Sequence, residues 1–179
     1  MTRLLVLGML DMQPMSGYDI QQTLKITNAE RWGGVLLGSI YHALKKMEQE
    51  GHVAVHSIEQ TGHRQKAIYT ITEKGRQHLK DLVRESLMES SVVYPSTIYS
   101  GLSFYDKLDK DSARTALQAQ RRRLDEEFSA QEEGFEVKSQ AMKNHFPPMV
   151  SLILDHMRAV VRLQQDFVDK ALEIINTEQ

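Results

Sequence analysis

Tyr41, His42, Lys45 and Lys46 are the densest group of side chains in this chain that could recognise a polyanion. They fall off the stripe of Ile40, Ala43, Leu44 and Met47, which recurs at i, i+3, i+4 and i+7 and so makes one apolar helix face. A short helix with a packed back and an aromatic and basic front is what a DNA major groove accepts. Lysine and arginine neutralise phosphates and release counterions, which gives affinity without sequence preference. Donors aimed at base edges give specificity, and His42 and Lys45 are best placed for that. The hydroxyls of Ser39 and Tyr41, near the helix start, suit phosphate oxygens. A second basic cluster, His63, Arg64 and Lys66, sits at a turn between two alternating stretches. An arginine at such a tip enters the minor groove or lies on phosphate. The bland alternative for both clusters is a solvated surface.

Other chemistries have weaker signals. The chain has no cysteine, which excludes disulfides, thiolate metal sites and cysteine nucleophiles. Gly33 and Gly38 mimic part of a phosphate loop, but Ser39 stands where lysine is required and no strand precedes the pattern. His52 and His56 sit four apart in a stretch that reads as strand, where a solvent or structural role outweighs a metal pair. Arg121, Arg122 and Arg123 are followed at once by Asp125, Glu126 and Glu127, so i,i+4 pairs on a solvated helix account for them. No catalytic set, metal site or cofactor is expected.

The elements that position the basic clusters follow from capping and periodicity. The spacing predicts helices near 2–12 and from Ser16, a cap, through Ile20 and Leu24. Gln13, Pro14 and Met15 break the chain between them, and a loop or short turn surrounds Trp32. The recognition helix runs near 39–50, with Ser39 as a possible cap and Gly51 suited to the left-handed position that ends a helix. Val53–Glu59 and Lys66–Thr72 alternate as strands, with Val53, Val55 and Ser57 on one face, and make a β-hairpin with a basic tip. Thr72 caps a further helix to about Glu89, with Leu79, Leu82 and Val83 as its stripe. Residues 90–96 read as a linker.

Three blocks carry a resemblance: Ser16-Gly17-Tyr18-Asp19-Ile20; Gly38-Ser39-Ile40-Tyr41 with Ala43-Leu44 and Glu50-Gly51; and Tyr69-Thr70-Ile71-Thr72-Glu73-Lys74-Gly75-Arg76. In order and spacing they resemble the PadR-like transcriptional regulators over roughly residues 1–85. The rest is similar in layout to the long-helix C-terminal domain of the larger PadR-like proteins. The resemblance implies a mainly α fold with a small β-hairpin wing: a winged helix-turn-helix DNA-binding domain over 1–89, then an α-helical dimerisation domain over 97–179. It adds Ser16 and Tyr18 to the expected DNA-binding residues. His42 is a departure, since many relatives have proline there. Several such regulators respond to small aromatic or cationic compounds, so Trp32, Tyr94, Tyr99 and Phe104 are candidate effector-binding residues, with core or dimer packing as the bland account.

The net charge of −2 hides an asymmetry. Residues 1–84 hold 11 Lys and Arg against 8 Asp and Glu, whereas residues 85–179 hold 11 against 16. A basic reader followed by an acidic partner domain fits those counts. The apolar N-terminus superficially resembles a signal peptide, but Asp11 interrupts it early and no small-residue cleavage site follows. No apolar run reaches membrane length, so a cytoplasmic protein is expected. Thr97–Tyr105 reads as a docking helix, with Ile98, Leu102 and Tyr105 on a shared face. After an Asp109 or Asp111 cap, Leu117, Leu124, Phe128, Phe135 and Met142 form a heptad-like seam. A turn at 144–148 leads to a second seam of Ile153, Met157, Val160, Leu163, Phe167, Ala171 and Ile174. Leu152, Val161, Val168 and Leu172 widen it beyond what one partner covers, which implies a homodimer. The expected function is a homodimeric, sequence-specific binder of double-stranded operator DNA, a repressor released by a small effector. The alternative is a helical adaptor whose winged helix binds protein.

Overall fold

The structure, a computed structural model, describes residues 1–27, 29–36, 38–61, 64–89, 92–141 and 146–177. It divides into two compact units, Met1–Val92 and Val93–Gln179, each described by itself. Among the described residues no helix is long and apolar enough to cross a membrane.

The first unit comprises α1 (Thr2–Met12), β1 (Met15–Ser16), α2 (Gly17–Ile26), α3 (Ala29–Gly33), α4 (Ser39–Gln49), β2 (Val53–Thr61), β3 (Arg64–Ile71) and α5 (Glu73–Met88). Its core gathers Val6, Leu7 and Leu10 of α1, Ile20 and Leu24 of α2, the α4 stripe, and Val53 and Ile71 of the sheet. Each fully buried large side chain contributes about 1.5–3 kcal/mol, which is why the apolar N-terminal run is a core helix. Leu79 and Leu82 of α5 pack against this core, while Val83 is exposed.

The sheet is three-stranded, in the order β1-β3-β2, rather than a bare hairpin. Met15 pairs with Tyr69 and Ser16 with Ile68. Two residues after a proline are too few to show alternation, so β1 has no signature in the sequence. β2 and β3 run beyond the expected limits, to Thr61 and Arg64. The pairing steps from Val55↔Tyr69 to Ser57↔Ile68, so His56 is an extra residue in a bulge. The bulge reverses the alternation and moves Ser57 off the face it was expected to share with Val53 and Val55. Thr72 caps α5: its hydroxyl accepts from the Gly75 N–H at 3.0 Å and donates to the Gly51 carbonyl at 2.7 Å. His52 pairs with His78 rather than with His56; the two rings stack with centroids 4.4 Å apart. Burial, and then the neighbouring His78, push the His52 imidazole below its ordinary range.

The second unit holds α6 (Ser96–Leu102), a 3-10 turn (Tyr105–Lys107), α7 (Lys110–Ala141) and α8 (Pro148–Thr177). Asp109 is the cap of α7: Ser112 donates its N–H to Oδ1 at 2.8 Å, and Asp111 pairs with Arg114 instead. α7 and α8 run antiparallel. Arg114 reaches Asn176, Arg121 reaches Asp169 and Glu132 reaches Arg158, so positions rise on one helix as they fall on the other. Arg121 also pairs with Asp125 four residues on, as the charge pattern implied. Ile98, Leu102 and Tyr105 pack on the second core beside Ala113, Leu117 and Leu124. Phe128 joins them, and Phe135 stacks on Phe146 with Arg158 over its ring. Met142 and residues 144–145 of the expected turn lie outside the described residues.

The α8 seam is a correction. Val161, Val168, Ala171 and Ile175 are the buried positions, whereas Ile153, Val160, Leu163 and Ile174 are exposed. A helix apolar over so much of its circumference does not announce which half docks. The ion pairs of Arg121 with Asp169 and of Arg158 with Glu132 cross the hairpin. At 3.6 residues per turn, the exposed Met149, Leu152, Ile153, Val160, Leu163 and Ile174 share one arc of roughly 100° beside the packed face.

Candidate nucleic-acid interface

α4 is held at its ends and along its back, which leaves its front open. Ile40, Ala43, Leu44 and Met47 are buried, and Tyr41, His42, Lys45 and Lys46 are exposed. Ser39 is the first helical residue after Gly38, not the cap; its hydroxyl donates to the Leu36 carbonyl at 2.7 Å. At the far end Gly51 takes φ +76°, in the left-handed region, and the His52 N–H closes on the Met47 carbonyl at 2.8 Å. Arg3 of α1 forks onto Glu50 with contacts of 2.7 and 2.8 Å. Lys74 of α5 donates to the Glu50 carbonyl at 2.7 Å. The guanidinium of Arg3 holds the Glu50 carboxyl below the usual carboxylate range. Two neighbouring helices therefore fix the C-terminal end of α4, and a rigid element is what base-edge hydrogen bonding needs.

Beside α4 lies the first turn of α2. Ser16 is only 2% exposed, and its hydroxyl both accepts from the Asp19 N–H and donates to Asp19 Oδ2 at 2.7 Å. Of the expected DNA contacts, Ser16 is therefore corrected to a residue that starts α2, because a buried and committed hydroxyl does not reach a phosphate. Tyr18 is exposed. The Tyr41 ring lies against Gly17, where an added Cβ would come 2.7 Å from a ring carbon. Lys66 of β3 reaches Asp19 Oδ2 at 3.0 Å, so part of its charge ties the wing to α2. Among the described residues Lys45 has no ion-pair partner, and its charge is open to an incoming anion. His63 lies outside the described residues, and Arg64 is placed as the first residue of β3.

Asp19 thus joins cap and wing. The Ser16 hydroxyl, and then Lys66, hold its carboxyl below the ordinary range. A depressed carboxyl contributes stability above its unfolded pKa, which is lost as pH falls through the folded value. Asp19→Asn should cost about 1 kcal/mol at neutral pH, as expected for a lost cap, and the difference should shrink under acid. Urea unfolding at pH 7 and in the low carboxylate range checks this. A cost that does not depend on pH would mean the charge of Asp19 is idle.

The candidate effector residues fall in both units. Trp32, in the first, is half-exposed and donates from Nε1 to the Thr27 carbonyl at 2.9 Å. In the second, the Tyr94 and Tyr99 rings are 6.4 Å apart, Tyr99 meets the edge of Phe167 at 5.5 Å, and Phe104 is exposed. A cavity of about 590 Å³ in the second unit is lined by Tyr94 but not by Tyr99 or Phe104. Sequence reasoning missed the supports of α4 and the cavity walls. Asp19, three residues after Ser16, was readable as a capping box. Arg3 and Glu50, 47 residues apart, leave no local signal.

With this geometry, residues 6–81 match the Transcriptional regulator PadR-like family. The negative transcriptional regulator PadR of Bacillus subtilis (strain 168) is 33% identical over 88 residues, covering 49% of this chain and 48% of that protein. The chain thus spans about half the length of the curated relative it matches. The crystal structure of Bacillus subtilis PadR in complex with operator DNA is similar at TM-score 0.77 and 22% identity, over 97% of this chain and 96% of that one. The structure of the same protein in complex with p-coumaric acid is similar at TM-score 0.74 and 20% identity, over 98% and 96%. At these identities the structural likeness establishes the shared fold.

Proposed function

Through residues 6–81 the chain belongs to the PadR-like family of transcriptional regulators, and we propose that it is a homodimeric, sequence-specific binder of double-stranded operator DNA, a repressor acting in the cytoplasm. In this reading residues 1–89 bind DNA and residues 97–179 dimerise. The observation that carries it is the front of α4: four polar or basic side chains exposed on a helix whose back is buried and whose end is pinned by Arg3 and Lys74. Lys45 and His42 read bases, Tyr41, Ser39 and Lys46 contact phosphate, Tyr18 extends that contact from α2, and the wing supplies His63, Arg64 and Lys66. The exposed arc of α8 supports the dimer, since an apolar stripe of that length in water is an unpartnered interface. The relative bound to p-coumaric acid supports release by a small aromatic effector.

Lys45→Ala should weaken operator binding by about 1–3 kcal/mol and relax preference at one or two base pairs. Fluorescence anisotropy against operator and scrambled duplexes tests this. An unchanged ratio of the two affinities would show that Lys45 is not a base reader.

A further inference from the structure

We propose that Gly17 is a positioning residue for DNA binding: it is the seat that holds the Tyr41 ring where its phenol meets a phosphate. The inference rests on the reading of α4 above as the DNA-facing helix. Gly17 is the first residue of α2 and is buried. Its backbone does not adopt a positive φ, so nothing in its conformation requires glycine. Space requires it. A Cβ added there would lie 2.7 Å from Cε1 and 3.1 Å from Cδ1 of Tyr41, and 3.2 Å from Cδ1 of Leu44. One edge of the Tyr41 ring therefore rests against the bare backbone of the neighbouring helix, while the residue as a whole stays 53% exposed.

The seat is held from below. Ser16, the residue before Gly17, is buried, pairs with Ile68 in the sheet and caps α2. Gly17 has little room to retreat, and Leu44 is locked in the core. The Tyr41 ring is the outer end of a half-exposed side chain, so it is the part that yields when the seat is filled. A tyrosine has two side-chain torsions, and helix geometry already narrows the first. Contact along one ring edge restricts the remaining freedom before DNA arrives, so binding has less ordering to supply. A phenol O–H held in this way donates to a phosphate oxygen and fixes the register of α4 on the duplex without reading a base. An alanine at position 17 displaces the ring and leaves the charges and the base-facing side chains of α4 as they are.

The test uses the full chain and the variants Gly17→Ala, Tyr41→Ala and the two together. With ring-labelled tyrosine and no DNA, NMR should show contacts between the Tyr41 ring and the Gly17 α-protons in the wild type. Gly17→Ala should shift the Tyr41 resonances and keep a urea midpoint close to the wild type. On duplex DNA from upstream of the gene, Gly17→Ala should bind at least about ten-fold more weakly, the scale of one lost hydrogen bond to a charged group. The salt slope should not change, because no cation is removed. In the Tyr41→Ala background the same substitution should alter affinity by less than about two-fold, since the contact it disturbs is already gone. Equal losses in the two backgrounds, or a ring that moves while affinity holds, would overturn the proposal. So would a wild-type ring without contact to Gly17, or a Gly17→Ala chain that unfolds, because the clash would then fall on Leu44 and the core. The wild type keeps this claim apart from the one beneath it. A wild-type chain with no preference for the upstream duplex sinks the regulator reading; a preference that Gly17→Ala leaves intact sinks only the seat.

Discussion

A chain ending at Glu89 should keep its fold and lose operator affinity by about 10²–10⁴-fold, because two linked contacts bind as one unit and separate ones do not. The first unit, Met1–Val92, has its own core of α1, α2, α4 and sheet residues, so on the proposed reading the truncation would remove valence and leave α4 in place. In the full chain the exposed arc of α8, with Leu152, Ile153, Val160 and Leu163, is the surface that a second copy would cover. Two winged helices held by a two-fold axis read an inverted repeat with half-sites about one helical turn apart, roughly 34–36 Å. Sedimentation of both chains, alongside footprinting, decides the matter. A monomeric full-length protein, or a truncation that protects the same palindrome with equal affinity, would remove the C-terminal helices from the role of clamp.

Gly75→Ala should destabilise the first unit by about 1–3 kcal/mol or more, the scale of an overpacked core substitution. An added Cβ would lie 2.0 Å from the His52 backbone oxygen and 2.7 Å from Ile71 Cγ1. Backbone on one side and a buried strand residue on the other leave little room to yield. The close approach exists because α5 starts directly after β3, with Thr72 bonded back to Gly51 and His52. Since a domain has a net stability of about 5–15 kcal/mol, such a loss is a large share of the total. Gly8→Ala is the control: an added Cβ there meets nothing within 4 Å in the middle of α1, and alanine should gain about 0.5–1 kcal/mol. Urea unfolding of both variants measures the contrast. Equal midpoints would mean that the α5 contact relaxes freely.

What was legible in the sequence was local. The α4 stripe, the glycine stop at Gly51 and the Thr72 cap are written within one or two turns, and each appears where periodicity placed it. β1 escaped because two residues carry no period, and the bulge at His56 because an extra residue shows only against its partner strand. The docked half of α8 escaped for a different reason. Val161 and Leu163 are both strongly apolar, and which of them docks shows only against the partner residues Ala113, Leu117 and Leu124 of α7. The exposure of Tyr41, His42, Lys45 and Lys46 was legible in the sequence, while the supports that hold α4 were not. Arg3 on Glu50, Lys74 on the end of α4 and Lys66 on Asp19 join positions that the sequence keeps far apart.

The central claim is that the front of α4 reads DNA sequence. The most direct measurement is anisotropy of the full chain on duplex DNA from upstream of its own gene, against scrambled duplex, across a salt series. The account predicts tighter binding to the upstream duplex by about 10³-fold or more, with affinity falling linearly in log salt as phosphate contacts are screened. Equal affinity for the two duplexes, or binding indifferent to salt, would contradict it.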